Sequence, residues 1–208
     1  MTFQSINYDP PLPKQLDRFT LCAKSNTDLW TKPSATNKFN CPFLYRIIKL
    51  ASFSRARVSV SAAWKDQYDQ GGLCLMLPQK DGPPKWIKTG IEFEDGSAHV
   101  STVATDRWSD WSLYPVPSNQ NTSDVDGGNG GDGNNANVVV ATVEMSKHRD
   151  GSLWVYLIDG DRKEPLREVT WFADLGGSDE CWIGAYTAKP SKSGELAVSF
   201  SHLVIEAS

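Results

Sequence analysis

The sequence is poor in the groups that carry out most enzyme chemistry. It has three histidines, His99, His148 and His202. None stands beside a nucleophile-elbow string and no G-x-S-x-G occurs, so a serine-hydrolase arrangement has no starting point. The four cysteines, Cys22, Cys41, Cys74 and Cys181, are 19, 33 and 107 residues apart and form no C-x-x-C pair. Zinc sites are built from closely spaced ligand pairs, so this spacing implies no metal, and nothing in the chain calls for a cofactor. Runs of Lys or Arg are also missing, and the formal net charge is −4. Nucleic acid and anionic membrane are thereby excluded as partners. No apolar stretch approaches the roughly 20 residues that span a bilayer. The first ten residues, MTFQSINYDP, have neither a basic start nor an apolar stretch. They carry no secretory signal, and the expected compartment is the cytoplasm, where the thiols stay reduced.

Helical periodicity is the next thing absent. Past residue 30 no segment repeats its apolar residues every 3.6 positions. The stretch 16–30 has room for one helical turn, bracketed by Pro10, Pro11, Pro13 and Pro33. Elsewhere, short runs rich in Val, Ile, Trp and Tyr are broken every ten or so residues by Gly, Pro, Asn and Asp, which is β punctuation. The expected strands are 44–49, 55–63, 72–77, 86–93, 99–105, 138–145, 153–158, 182–187 and 196–205. Asp95-Gly96, Asp150-Gly151 and Asp159-Gly160 supply tight turns between them. A chain of 208 residues with 39% hydrophobic and 22% charged residues is one domain's worth of ordinary globular protein. The expected fold is all-β, a jelly-roll sandwich of two antiparallel sheets spanning 1–208.

One segment, 118–137, interrupts the pattern. It reads SNQNTSDVDGGNGGDGNNAN, with Val125 its one apolar β-former. Such a composition buries too little to order itself, so a mobile loop inside the domain is expected. Within it Gly127-Gly128-Asn129-Gly130-Gly131-Asp132 matches a calcium-binding β-helix repeat in a single copy. Those sites need stacked copies, so the match assigns no metal.

Three strings carry a resemblance: YDQGGLCLML (68–77), KWIKTGIEFEDG (85–96) and HVSTVATDRWSDWS (99–112). The matching positions are Asp69, Gln70, Gly72 and Leu73; Trp86, Lys88, Gly90 and Glu92; and Val103, Thr105, Ser109, Asp110, Trp111 and Ser112. In this order they resemble the uncharacterised concanavalin-A-like family that includes fungal regulation-of-enolase proteins and bacterial YesU-type proteins. The likeness extends from about Trp30 onward. It implies a sandwich with one concave sheet and, for the fungal branch, a cytoplasmic protein linked to control of enolase. It implies no established activity.

Candidate site residues follow from strand parity. On strand 86–93 the apolar Ile87, Ile91 and Phe93 face the core, so Trp86, Lys88 and Glu92 share the opposite face. Lys88 and Glu92 are about 13 Å apart along that face, each free for a neighbour or a ligand. Trp154 and Tyr156 share a face of a later strand. Rings for stacking beside charges for hydroxyls suit sugar recognition, and the ligand-binding set is Gln70, Trp86, Lys88, Glu92, Trp154 and Tyr156. The bland reading is that Lys88 and Glu92 pair across strands and solvate an open sheet. No catalytic residue is assigned. The function expected is a non-catalytic binding or regulatory module with a groove for carbohydrate or a small polar ligand, or an enolase-related protein partner. The alternative is a glycan-active enzyme using Glu92 and a second carboxylate. Ser109-Asp110-Trp111-Ser112 reads as a corner in which Asp110 caps backbone N–H groups and Trp111 turns inward, with Trp108 more exposed.

Overall fold

A computed structural model describes residues 2–34, 36–117, 138–174 and 180–207. The expected mobile loop at 118–137, and the calcium-repeat match within it, lie outside the described residues. Fifteen strands are described: β1 Gln4–Ile6, β2 Arg18–Lys24, β3 Leu29–Lys32, β4 Thr36–Phe39, β5 Phe43–Lys49, β6 Phe53–Ala62, β7 Gln70–Leu77, β8 Lys85–Glu94, β9 Ser97–Thr105, β10 Ser109–Pro115, β11 Val139–Lys147, β12 Leu153–Asp159, β13 Arg162–Val169, β14 Glu180–Ala188 and β15 Glu195–Ala207. Two short 3₁₀ turns, Leu50–Ser52 and Thr170–Asp174, complete the regular structure.

The strands form a β-sandwich of two antiparallel sheets. The seven-stranded sheet runs β1-β5-β14-β7-β8-β9-β10 and the six-stranded sheet β13-β12-β11-β6-β15-β2. All nine expected strands are present. β11 to β15, which follow segment 118–137 in sequence, pair with strands that precede it: β11 with β6, and β14 with β5 and β7. Asp95 and Gly96 both take positive φ, 46° and 76°, at the β8–β9 turn. This is the backbone that a two-residue hairpin needs, and Asp-Gly supplies it.

Six strands were not expected. β2 replaces the helical turn allowed for 16–30. Its residues Phe19, Leu21 and Ala23 alternate inward between exposed neighbours, a period of two that excludes a helix. β13 is polar and holds Pro165, which an edge strand tolerates because one side of its ladder is unpaired. β10 continues from the expected corner and pairs along β9 from Ser109 to Pro115.

The inner faces of both sheets close on one core, with Leu73, Leu75, Ile87 and Ile91 from one side and Val58, Val60, Val143 and Val155 from the other. A second cluster matters more for function. On the outer face of the seven-stranded sheet, Phe43, Tyr45, Cys74, Met76, Trp86, Val103 and Tyr186 pack together under Leu29 of the β3–β4 hairpin. The hairpin thus covers part of a face that the alternation alone would leave open. Gly72 and Gly90 sit opposite one another on β7 and β8. A Cβ on either would meet the partner strand's backbone at about 2 Å, so close strand approach fixes glycine at both.

Candidate functional site: a pocket beside the β3–β4 hairpin

Beside the hairpin, the outer face of the seven-stranded sheet opens into a pocket of about 490 Å³ lined by Asp28, Trp30, Lys32, Lys38, Tyr68, Gln70, Glu92, Trp111 and Pro190. That volume falls in the range of small-ligand sites. Its base comes from the sheet. Gln70 and Glu92 are directly opposed across β7 and β8 and nearly fully buried. The Glu92 carboxylate accepts hydrogen bonds from Ser101 Oγ at 2.6 Å and from the indole Nε1 of Trp111 at 3.1 Å. Both land on Oε2, so among the described residues Oε1 takes no hydrogen bond and remains for a ligand.

The walls are aromatic. Trp111 stands at 89° to Trp30 and at 72° to Tyr68, with 6.3 Å between ring centroids in both pairs. Edge-to-face packing at this spacing fixes the rings against each other and leaves faces for a ligand. Tyr68 is 41% exposed and has φ 67°, a left-handed conformation that a bulky residue adopts only when its surroundings impose it. Its N–H donates to Phe93 O at 2.7 Å and its carbonyl accepts from Gln70 Nε2 at 3.2 Å. The turn that carries it is clamped from behind. The buried Lys189 ammonium lies 2.6 Å from Asp66 Oδ2 and 3.0 Å from Asp69 Oδ1. The Lys189 hydrogen bond holds the Asp66 carboxyl below the usual range, against a smaller opposing effect of desolvation.

Lys88 occupies a different environment from the one expected. It is 1% exposed. Its Nζ donates to Leu29 O at 2.9 Å and Gln70 Oε1 at 2.6 Å, and lies 5.6–5.8 Å from the ring centroids of Trp30, Trp86 and Tyr186. No carboxylate pairs with it among the described residues. The ammonium is held by two carbonyl oxygens and three π faces, and it fastens the hairpin to the sheet. The reading in which Lys88 and Glu92 pair across strands to solvate an open sheet is therefore corrected: both side chains are buried, and each is satisfied by named partners.

Of the six residues expected to bind ligand, Gln70 and Glu92 line the pocket. Trp86 and Lys88 lie on the same sheet face beneath the hairpin, next to the pocket and outside its lining. Trp154 and Tyr156 are on β12 of the six-stranded sheet and do not join the others. There Tyr156 Oη lies 2.9 Å from His148 Nε2, and the Lys163 ammonium sits 4.0 Å over the Tyr156 ring. Parity placed each pair correctly on its own strand, but parity does not say which sheet a strand joins.

The corner is also corrected. Asp110 is exposed, with Arg167 Nη1 at 3.7 Å from its carboxylate, and Ser109 does the anchoring instead: its Oγ accepts from the Thr31 N–H at 2.9 Å and ties the hairpin to β10. Trp111 does not plug the sandwich. It lies on the outer face, opposite Val103, and reaches across β9 to Glu92. Trp108 is the more exposed of the two, as expected. Asp28, Trp30, Lys32, Lys38 and Tyr68 were not anticipated. Trp30 had a signal: its Leu-Trp-Thr-Lys string before Pro33 is a short alternating strand. Tyr68 had none, since its conformation comes from contacts distant in sequence.

Among the described residues no group of three or more His, Cys, Asp or Glu is placed to hold a metal ion, and no helix is long and apolar enough to cross a membrane. The comparisons with known proteins agree with the fold. Over 204 residues the chain is 47% identical to "Uncharacterized protein AN7484" of Emericella nidulans, covering 98% of this chain and 92% of that protein. It is 30% identical over 154 residues to "Regulation of enolase protein 1" of Saccharomyces cerevisiae, covering 74% of this chain and 64% of that protein. A solved structure of a functionally unknown protein from Saccharomyces cerevisiae superposes with a TM-score of 0.73 at 24% identity, covering 99% of this chain and 96% of that one. The family described as "Protein of unknown function (DUF1349)" matches residues 8–127, and the chain belongs to it.

Proposed function

We propose that this protein is a binding module that takes a carbohydrate in the pocket beside the β3–β4 hairpin. The observation that carries the reading is the pairing of Glu92 with Trp111. One carboxylate oxygen is anchored by an indole N–H and a serine hydroxyl, the other is left for ligand hydroxyls, and the same indole forms a wall against which a sugar ring can stack. Stacking rings and a few fixed polar groups are the ingredients of small-ligand recognition. The module acts in the cytoplasm, and its role is in the control of enolase, through its ligand or by direct contact with an enolase-related partner. This part rests on the name of the Saccharomyces cerevisiae relative.

A glycan array followed by titration calorimetry tests the first part. Saturable saccharide binding that Glu92→Gln and Trp111→Ala each abolish is the expected result. A protein that binds no saccharide on the array, or whose binding survives both substitutions, overturns it. The enolase part is tested by mixing the purified protein with enolase, measuring complex formation by gel filtration and the enolase rate. No complex and no change in rate, with and without bound saccharide, refutes it.

A second reading, hydrolysis of a glycan, has one observation in its favour: Asp28 lines the pocket together with Glu92 and could serve as the second carboxylate. Release of reducing ends from a bound glycan, lost in Glu92→Gln and Asp28→Asn, would establish it in place of simple binding.

A further inference from the structure

The charges around the pocket are zoned. The carboxylate of Glu92 is buried at the base. The two lysines of the lining, Lys32 and Lys38, belong to the hairpin that forms the outer wall. In the β3–β4 register Trp30 is opposite Lys38 and Lys32 is opposite Thr36. Lys32 and Lys38 are therefore diagonal neighbours. Such positions are roughly 7–8 Å apart at the backbone, so two flexible ammonium groups can converge on one anion. Neither lysine forms an ion pair among the described residues. Most other well-placed cations do: Lys85 with Asp106, Arg167 with Asp110, Lys189 with Asp66 and Asp69, and Lys163 with Glu144. On a chain of net charge −4, two adjacent uncompensated cations at an aromatic pocket repel each other until an anion neutralises them. Asp28 does not neutralise them: its Oδ1 accepts the Leu29 N–H at 2.8 Å, and it makes no salt bridge with either lysine.

We propose that the carbohydrate taken by this pocket is an acidic one, a sugar bearing a carboxylate or phosphate group. Its ring lies against Trp30 and Trp111, its hydroxyls meet Glu92 at the base, and its anionic group is held by Lys32 and Lys38 at the hairpin. The inference rests on the binding reading above and narrows it to one class of sugar. A neutral sugar leaves the lysine pair unused. A bare anion leaves the base and the rings unused. Only a ligand with both parts satisfies the whole lining.

The test is calorimetry on the full chain with three arms: neutral hexose oligomers, the corresponding uronates, and hexose phosphates. The uronate and phosphate arms separate the two sources of the anion. The expected result is that at least one acidic arm binds about tenfold or more tighter than the neutral arm at low salt, a difference that shrinks as salt is raised. The double variant Lys32→Gln, Lys38→Gln should bring the acidic ligand down to the affinity of the neutral one and leave the neutral one unchanged. Both side chains lie outside the core, so thermal melts should confirm that the variant folds. Neutral and acidic sugars binding equally, or acidic binding that the double variant does not weaken, overturns the inference and leaves the binding reading intact. No binding in any arm overturns both.

Discussion

The indole N–H of Trp111 donates to the Glu92 carboxylate at 3.1 Å, across the width of β9, so an edge strand and a central strand of the same sheet meet in one hydrogen bond. The bond fixes the Trp111 ring, which fixes the positions of Trp30 and Tyr68 through edge-to-face contacts. Trp111→Phe isolates its contribution, because the ring remains and the donor is lost. Ser101 still serves Glu92, so the loss of stability should be about 1 kcal/mol, the cost of one hydrogen bond to a charged acceptor that keeps another. Saccharide affinity should fall by about tenfold through loosening of the wall. Denaturant melts and calorimetry measure the two quantities. A variant that loses 4 kcal/mol or more would mean that Trp111 is a core residue after all.

Asp110→Ala should be nearly silent. The carboxylate is solvated and its Arg167 contact is a surface pair, worth about 0–1 kcal/mol. A loss of 2 kcal/mol in the same melts would restore the capped corner.

The thiols separate by burial. Cys22 is exposed while Cys41, Cys74 and Cys181 are buried. Burial pushes the Cys41 and Cys181 thiols up to about 12 and Cys74 well above its ordinary value. Thiolate is the reactive form, so iodoacetamide on the native protein should label Cys22 alone, and all four cysteines after denaturation. Peptide mass spectrometry reads this directly. Rapid labelling of Cys41 or Cys74 in the folded protein would show that the hairpin opens.

How much of this was legible in the sequence differs by level. Strands flanked by Asp-Gly turns and built on strict alternation, such as β8 and β9, were readable because local sequence alone decides them. The sheet that each strand joins was not, and Trp154 and Tyr156 were grouped with Glu92 although they lie on the other sheet. Lys88 shows the sharper limit. Alternation put it correctly on the outer face, but an outer face is solvent only when nothing covers it. The cover is a hairpin some 60 residues away in sequence, and no local pattern reports that contact. Tyr68 belongs to the same class: its left-handed backbone is imposed by Phe93 and Gln70.

Glu144 carries a pH-dependent part of the stability. It is buried on β11, with Lys163 Nζ at 2.7 Å, Arg55 Nη1 at 3.3 Å and Ser146 Oγ at 2.7 Å. Burial by itself raises its pKa, but the hydrogen bonds from Lys163 and Ser146 and the charges of Lys163 and Arg55 outweigh it, and the net value falls below the ordinary 4.5. A carboxyl depressed in the folded state stabilises above its unfolded pKa, and that stability is lost as pH falls through the folded one. Glu144→Gln should therefore be less stable at pH 7 and should lose less further stability than the parent below about pH 4.5. Urea midpoints from pH 7 down to pH 3 decide it. Parallel curves for parent and variant would remove Glu144 from the account.

The last prediction concerns Lys88, where two opposing effects have to be weighed. Burying an ammonium costs several kcal/mol in desolvation, and replacing a buried ion with an apolar residue of similar size is sometimes stabilising. Against that stand two acceptors, Leu29 O and Gln70 Oε1, which would lose their donor, at about 1–3 kcal/mol each. Three aromatic faces also lose a cation, at about 0.5–1 kcal/mol or more apiece. The sum on the second side is the larger, so Lys88→Met, which keeps most of the aliphatic stem, should destabilise by about 2 kcal/mol. Lys88→Ala should cost about 3–5 kcal/mol, because it adds the loss of three buried methylenes at about 0.8 kcal/mol each and leaves a cavity. Leu29 belongs to the hairpin, so both variants should also loosen β3, seen as faster hydrogen exchange at the Thr31 amide, which donates to Ser109 Oγ. If Lys88→Met is instead more stable than the parent and the Thr31 amide stays protected, then desolvation is the larger effect and the lysine does not hold the hairpin.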